Sequence, residues 1–227
     1  MTRIRFHQNL DDLKEKLLVM AGMAEQAIQR SIEAYSMHDL SICDLVHQSE
    51  PAINRLEREI DQMALDLLAM EQPMAIDLRF ILAVIKINAD VERVGDQAVN
   101  IAERVCDLHS MPPVDLPVDI PKMASLAASM VRRALQSFID ADAELALSVL
   151  TMDDQVDQMN GAAYRALSQL IHDQPAFTPQ ALNVILIARN LERVGDHATN
   201  IAEDVIFWVR GADVRHHLRR GHLRMGS

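Results

Sequence analysis

Four side chains able to ligate a cation, Glu92, Asp96, Asn100 and Glu103, recur one hundred residues later as Glu192, Asp196, Asn200 and Glu203. Each set sits in a fifteen-residue segment, Ala89–Glu103 and Arg189–Glu203, and the two segments are identical at ten positions. On a helix turning about 100° per residue, Asp96 falls near 40°, Asn100 near 80° and Glu103 near 20° from Glu92. Val94, Ala98 and Ile101 fall on the far side, so the polar groups form one stripe facing away from the core. Oxygen donors of this kind suit hard or borderline cations such as Fe, Mn, Mg or Ca, and Zn as well.

A second pair of oxygen donors lies on the preceding helical segment of each repeat, Glu50 with Asn54 and Asp153 with Asp157. Two antiparallel helices bring residues level when these are equidistant from the connecting turn. Glu50 with Asp96, and Asn54 with Glu92, are centred on Pro73; Asp153 with Asp196, and Asp157 with Glu192, are centred between Gln174 and Pro175. Residues four apart on a helix have Cβ atoms about 5–6 Å apart, so two such pairs make a four-cornered oxygen patch. A lone acidic pair is ordinarily a solvated face. Here Glu, Asp, Asn and Glu persist while Gln97 and Val99 change to His197 and Thr199, which favours cation binding. Arg93 and Arg193 offer the competing reading, carboxylates held in surface salt bridges, but such pairs contribute little. His197 is expected at the surface, and Gly95 and Gly195, each costing about 1 kcal/mol in a helix, are expected where helices approach closely.

The elements that must position these groups are all helical. Hydrophobic residues make up 49% and aromatics 4% of the 227 residues, with 13 Met and 7 Gly. That composition favours helices packed through aliphatic side chains over strands. Spacings of three and four at Leu13, Leu17, Met20, Ala24, Ala27, Ile28 and Ile32 predict a helix over about 10–37. A short helix over 40–47, a longer one from Pro51, and a third over about 76–108 complete the first unit. The run 111–121 carries four prolines and reads as a connector. Beyond it, helices over about 122–139, 144–150, 153–172 and a last one ending near 210 repeat the scheme. The expected organisation is therefore all-α, two tandem pseudo-symmetric three-helix bundles at 1–110 and 122–210 with a basic flexible tail at 211–227.

The formal net charge is −11, which argues against a nucleic-acid partner. Cys43 and Cys106 are the only cysteines and read as small core residues, in keeping with a reducing cytoplasm. No apolar run reads as a secretory signal or membrane span, so no direct membrane insertion is expected.

The duplicated Glu-Arg-Val-Gly-Asp-x-Ala-x-Asn-Ile-Ala-Glu at 92–103 and 192–203, with Pro73-x-x-x-Asp77-Leu78-Arg79 before the first copy, resembles the PhoU family of phosphate-transport regulators. The resemblance implies a six-helix array of two bundles side by side, with surface motifs that hold metal, iron or zinc in multinuclear clusters. Mg or Mn would also suit such donors. Its residues here are Glu50, Glu92, Asp96 and Asn100 in the first unit, and Asp153, Asp157, Glu192, Asp196 and Asn200 in the second. Asn54 stands where the second unit has Asp157, so the first site is expected to bind metal more weakly. The family's role implies a cytoplasmic, non-enzymatic negative regulator of the phosphate-starvation response, a homodimer linking a phosphate ABC transporter, through its ATPase subunit, to a sensor histidine kinase. The contrasting reading is a carboxylate-bridged di-metal oxidase or metal-storage protein. Such a site needs Glu-x-x-His pairs aimed into a bundle core, and the sequence contains none.

Overall fold

The structure, a computed structural model, describes residues 2–71 and 73–211. Helices α1 (Thr2–Met37), α2 (Leu40–Glu71) and α3 (Ala75–His109) form the first unit. Helices α4 (Ile120–Asp140), α5 (Ala143–Leu150), α6 (Asp153–Asp173) and α7 (Thr178–Arg210) form the second, with a short 3-10 turn at Pro175–Phe177 before α7. No strand occurs among the described residues. The tail residues 212–227 lie outside the described residues.

The expected elements appear with three differences. Helix α1 starts at Thr2 rather than near Leu10, because Phe6 and Leu10 extend the same buried stripe through Leu13, Leu17 and Met20. Helix α4 starts at Ile120, since the Asp119 carboxylate caps it by accepting from the Lys122 amide (3.0 Å) and Pro121 is tolerated in a first turn.

The third difference is that α2 is continuous where two pieces are expected; Pro51 lies inside it. The buried face runs unbroken through Cys43, Val46, Ile53 and Ile60, so burial on both sides of the proline holds one helical register. Pro51 itself is exposed, which leaves room for its ring and for water at the carbonyl it cannot satisfy. The second unit does break at the corresponding place. There the Met152 amide bonds the Val149 carbonyl (2.9 Å), the Thr151 hydroxyl bonds that of Ser148 (2.8 Å), and α6 starts afresh at Asp153.

Asp39 behaves as expected, accepting from the Ser41 amide (2.9 Å) at the start of α2. The two units share one core. Antiparallel α3 and α7 pack along each other, fixed at one end by Arg79 Nε donating to the Trp208 carbonyl (3.2 Å). Phe80, Phe138 and Trp208 cluster there with ring centroids 5.1–5.8 Å apart, joining α3, α4 and α7. On the outer side α1 meets α4 through Lys14 Nζ on the Ile139 carbonyl (2.8 Å) and Arg132 on Glu25 (2.7 Å).

The two repeat glycines occupy the α2–α3 and α6–α7 interfaces, with unequal room. A Cβ on Gly95 would stand 3.1 Å from Ile53 Cδ1, whereas one on Gly195 would meet Val156 Cγ1 at 3.5 Å and Met130 Sδ at 3.6 Å. Close approach therefore explains Gly95, but Gly195 has space for a methyl group. Replacing Gly195 with Ala is expected to stabilise the chain by up to about 1 kcal/mol. Gly95→Ala should gain less, because Ile53 must shift; thermal melts of both variants check the order.

Candidate metal centre

The helix pairs carry their polar residues at the expected level. In the first unit Asn88 Nδ2 on α3 donates to the Glu57 carbonyl and to Asp61 Oδ1 of α2, both at 2.9 Å. In the second, the Thr199 hydroxyl on α7 donates to Asp153 Oδ1 of α6 at 3.3 Å. Gly95 against Ile53 and Gly195 against Val156 repeat this register, so the two units align by packing as well as by sequence.

Four of the second unit's expected residues, Asp153 and Asp157 from α6 and Glu192 and Asp196 from α7, lie near enough for their charges to act on one another. Burial raises the Asp153 carboxyl above its ordinary range, and the Asp157 and Asp196 charges push it further, against the hydrogen bond from Thr199. Glu192 is raised by burial, then by Asp196 and Asp157, with Arg189 and Arg193 opposing more weakly. The guanidinium groups that would form a salt-bridge network leave Glu192 raised. Asn200 turns toward α3 instead, where its Nδ2 donates to Asp90 Oδ1 (3.2 Å). Glu203 lines a cleft of about 260 Å³ between α3 and α7, with Lys86, Asp90, Arg93 and Asp204.

The first unit assembles a different set. Glu92 is raised by burial, then by Asp96 and by Glu57, a residue the sequence reading passed over. Asp96 is raised by burial. The charge pressing on Glu92 from α2 thus comes from Glu57, three residues beyond Asn54; Asn160 holds the matching place beyond Asp157. Carboxylate and amide have changed places along one helical turn. This alters the basis for expecting a weaker first site, since Asn54 is accompanied by an acid the reading did not count. Glu50 and Asn100 are half-buried on the same two helices, and Glu103 pairs with Arg104 (3.3 Å). Asn54 contributes a further observation: its buried Oδ1 has no hydrogen-bond donor.

His197 is not the surface residue expected. Its side chain is only 14% exposed, and Nδ1 lies 2.9 Å from Oδ1 of the buried Asp90 on α3. From α7 it acts on the first unit's cluster, drawing Glu92 and Asp96 back toward ionisation. The physical reason is the antiparallel α3–α7 contact, which turns that flank of α7 toward the neighbouring unit. Asp90 was missed as well; its repeat counterpart is Asn190, so the duplication carried no signal for it.

The donor types on these helices are those that a hard or borderline cation takes. They are carboxylates kept partly out of water and repelling one another; in the first unit Asn54, about one turn before Glu57 on α2, adds a buried amide oxygen with no donor. Among the described residues, no three His, Cys, Asp or Glu side chains are already gathered as a ligand set.

The family model of the PhoU domain matches residues 17–105 and again 120–205. The chain belongs to the PhoU family. The two matches fall one in each helical unit, each ending two residues past its repeat segment. A phosphate-specific transport system accessory protein PhoU homolog of Pseudomonas aeruginosa is 38% identical, the alignment covering 93% of this chain and 88% of the relative. A homolog of the same description from Clostridium acetobutylicum is 31% identical, covering 94% and 98%. The crystal structure of PhoU from Pseudomonas aeruginosa superposes with a TM-score of 0.88 at 37% identity, covering 91% of this chain and all of that one. The phosphate transport system regulatory protein PhoU from Streptococcus pneumoniae gives 0.85 at 27% identity, covering 92% and 99%. These PhoU relatives are named as accessory or regulatory proteins.

Proposed function

We propose that this chain is a negative regulator of phosphate uptake and of the phosphate-starvation response, acting through protein–protein contacts. The partners are a phosphate ABC transporter, contacted at its ATPase subunit, and a phosphate-sensing histidine kinase, both met from the cytoplasm by a homodimer. The observation that carries this reading is the PhoU match over both units, together with relatives named for a phosphate-specific transport system. Among the described residues no helix is long and apolar enough to cross a membrane, which is consistent with docking onto a transporter rather than insertion beside it. Deleting the gene should leave starvation genes active in phosphate-rich medium and raise phosphate uptake. Starvation genes that stay silent with unchanged uptake would overturn the reading.

The carboxylate clusters are the second part of the proposal. Asp153, Asp157, Glu192 and Asp196 would hold one cation site; Glu92, Asp96, Glu57 and Asn54 would hold the other, with Glu50 and Asn100 in reserve on the same helices. Iron or zinc are the favoured ions, Mg or Mn the alternatives. A bound cation supplies the positive charge that offsets the mutual repulsion of the carboxylates, tying α2 to α3 and α6 to α7. Support comes from the raised carboxyl values and the donor-less Asn54 oxygen. In the first cluster, Glu57→Gln is expected to weaken cation binding by roughly tenfold or more, and Glu50→Gln by less. Isothermal titration of each variant reads the order, and an equal or reversed effect would remove Glu57 from the site.

A further inference from the structure

The only two cysteines of the chain, read from sequence as separate core residues, meet across the first helix pair. Cys43 is fully buried near the start of α2, and Cys106 is half-buried near the end of α3. Helices α2 and α3 are antiparallel, and the register fixed by Asn88 on Asp61 (2.9 Å) sets Cys43 level with Cys106. Cys106 is the side chain that, after burial, does most to raise the Cys43 thiol. At the same end, His109 of α3 faces Asp39, the cap of α2.

We propose that Cys43 and Cys106 form a reversible intramolecular disulfide that clamps α2 to α3 when the chain meets a hydroperoxide. The more accessible thiol, Cys106, is oxidised first. Its sulfur takes one oxygen from the peroxide and becomes a sulfenic acid, while the rest of the peroxide leaves as water or an alcohol. The Cys43 sulfur then attacks that sulfenic sulfur. The S–S bond forms, the S–O bond breaks, and the departing hydroxide takes the Cys43 proton as water. Two thiols and one hydroperoxide thus give one disulfide, one water and one further water or alcohol. A dithiol reductant reverses the step by exchange.

Burial shields Cys43 from solvent oxidants and, with the neighbouring Cys106 thiol, pushes it up to about 12, whereas Cys106 is partly exposed. That assigns the first oxidation to Cys106 and leaves Cys43 as the resolving partner held in place. The clamp lies within two helical turns of Glu50 on α2 and of Asn100 on α3.

The test uses the full chain, reduced and then treated with hydrogen peroxide, read by thiol titration, intact mass and thermal melting. The expected product is a monomer-sized chain that has lost both free thiols and two hydrogens. Its Tm should be higher by roughly 5–10 °C, and a dithiol reductant should restore the original state. Cys43→Ala should stop the reaction at oxygenated Cys106, and Cys106→Ala should leave Cys43 reduced. If Cys43→Ala does not fold, peptide mapping of the oxidised wild-type chain decides in its place by showing or lacking the 43–106 cross-link. Retention of both thiols, or wild-type Cys106 carrying oxygen atoms with Cys43 still free, would overturn the proposal.

Discussion

The Glu192→Gln, Asp196→Asn double variant is expected to lose cation binding at the second cluster by at least about two orders of magnitude, while its cation-free form melts higher than the wild type. Both parts follow from one arrangement. Glu192 and Asp196 on α7 face Asp153 and Asp157 on α6, and each of Asp153 and Glu192 is raised by burial and by the neighbouring carboxylates. The amides keep the shape and remove two of the charges. A cation therefore loses its main attraction, and the empty pocket loses its repulsion. Metal analysis after purification without chelators, with calorimetric melts of the chelated proteins, reads both. Equal metal content in variant and wild type would remove this cluster from the account.

The second large effect is a pH dependence of stability that cations weaken. Glu92, Asp96, Asp153 and Glu192 all have carboxyl values raised above the ordinary range, burial being the first cause in every case. The folded chain holds these protons more tightly than the unfolded chain does. Their stabilising contribution is thus complete below the ordinary carboxylate range, about pH 4, and is lost as pH rises through the raised values. Asp39 and Glu59, held low by Ser41 and Lys16, act in the opposite sense, their contribution fading only as pH falls through their depressed values. Both are exposed, which weakens their effect. Chelated protein should therefore melt higher near pH 5 than near pH 7. A divalent cation should raise Tm more at pH 7 than at pH 5, where protons compete more strongly for the raised carboxylates. Melts that rise steadily from pH 5 to pH 7 without cation would contradict the desolvated, mutually repelling clusters.

Much of this was legible in the residues. The duplicated segment gave the pseudo-symmetry, the three-and-four spacing gave the helices, and equidistance from the turns gave the level of α2 against α3 and α6 against α7. Each of these depends on local geometry or on self-comparison. What escaped depends on contacts between distant elements. Glu57 was hidden because the repeat holds Asn160 in its place, and self-comparison rewards only what is kept. Asp90 and His197 meet across α3 and α7, a packing between units that no spacing along one helix reveals. Pro51 misled for a different reason: a proline read as a start signal sits on an exposed face, where a continuous buried stripe carries the helix past it. The cysteine pair escaped because each residue alone fits a core position.

The proposed function rests on contact with partners, and direct binding to them tests it. Purified chain, cation-loaded or chelated, is titrated against the ATPase subunit of the phosphate transporter and against the cytoplasmic domains of the sensor kinase. Saturable binding to both partners is expected, with the affinity changed when Glu192 and Asp196 are neutralised or the cation is removed. No binding to either partner, in either state, would contradict the account.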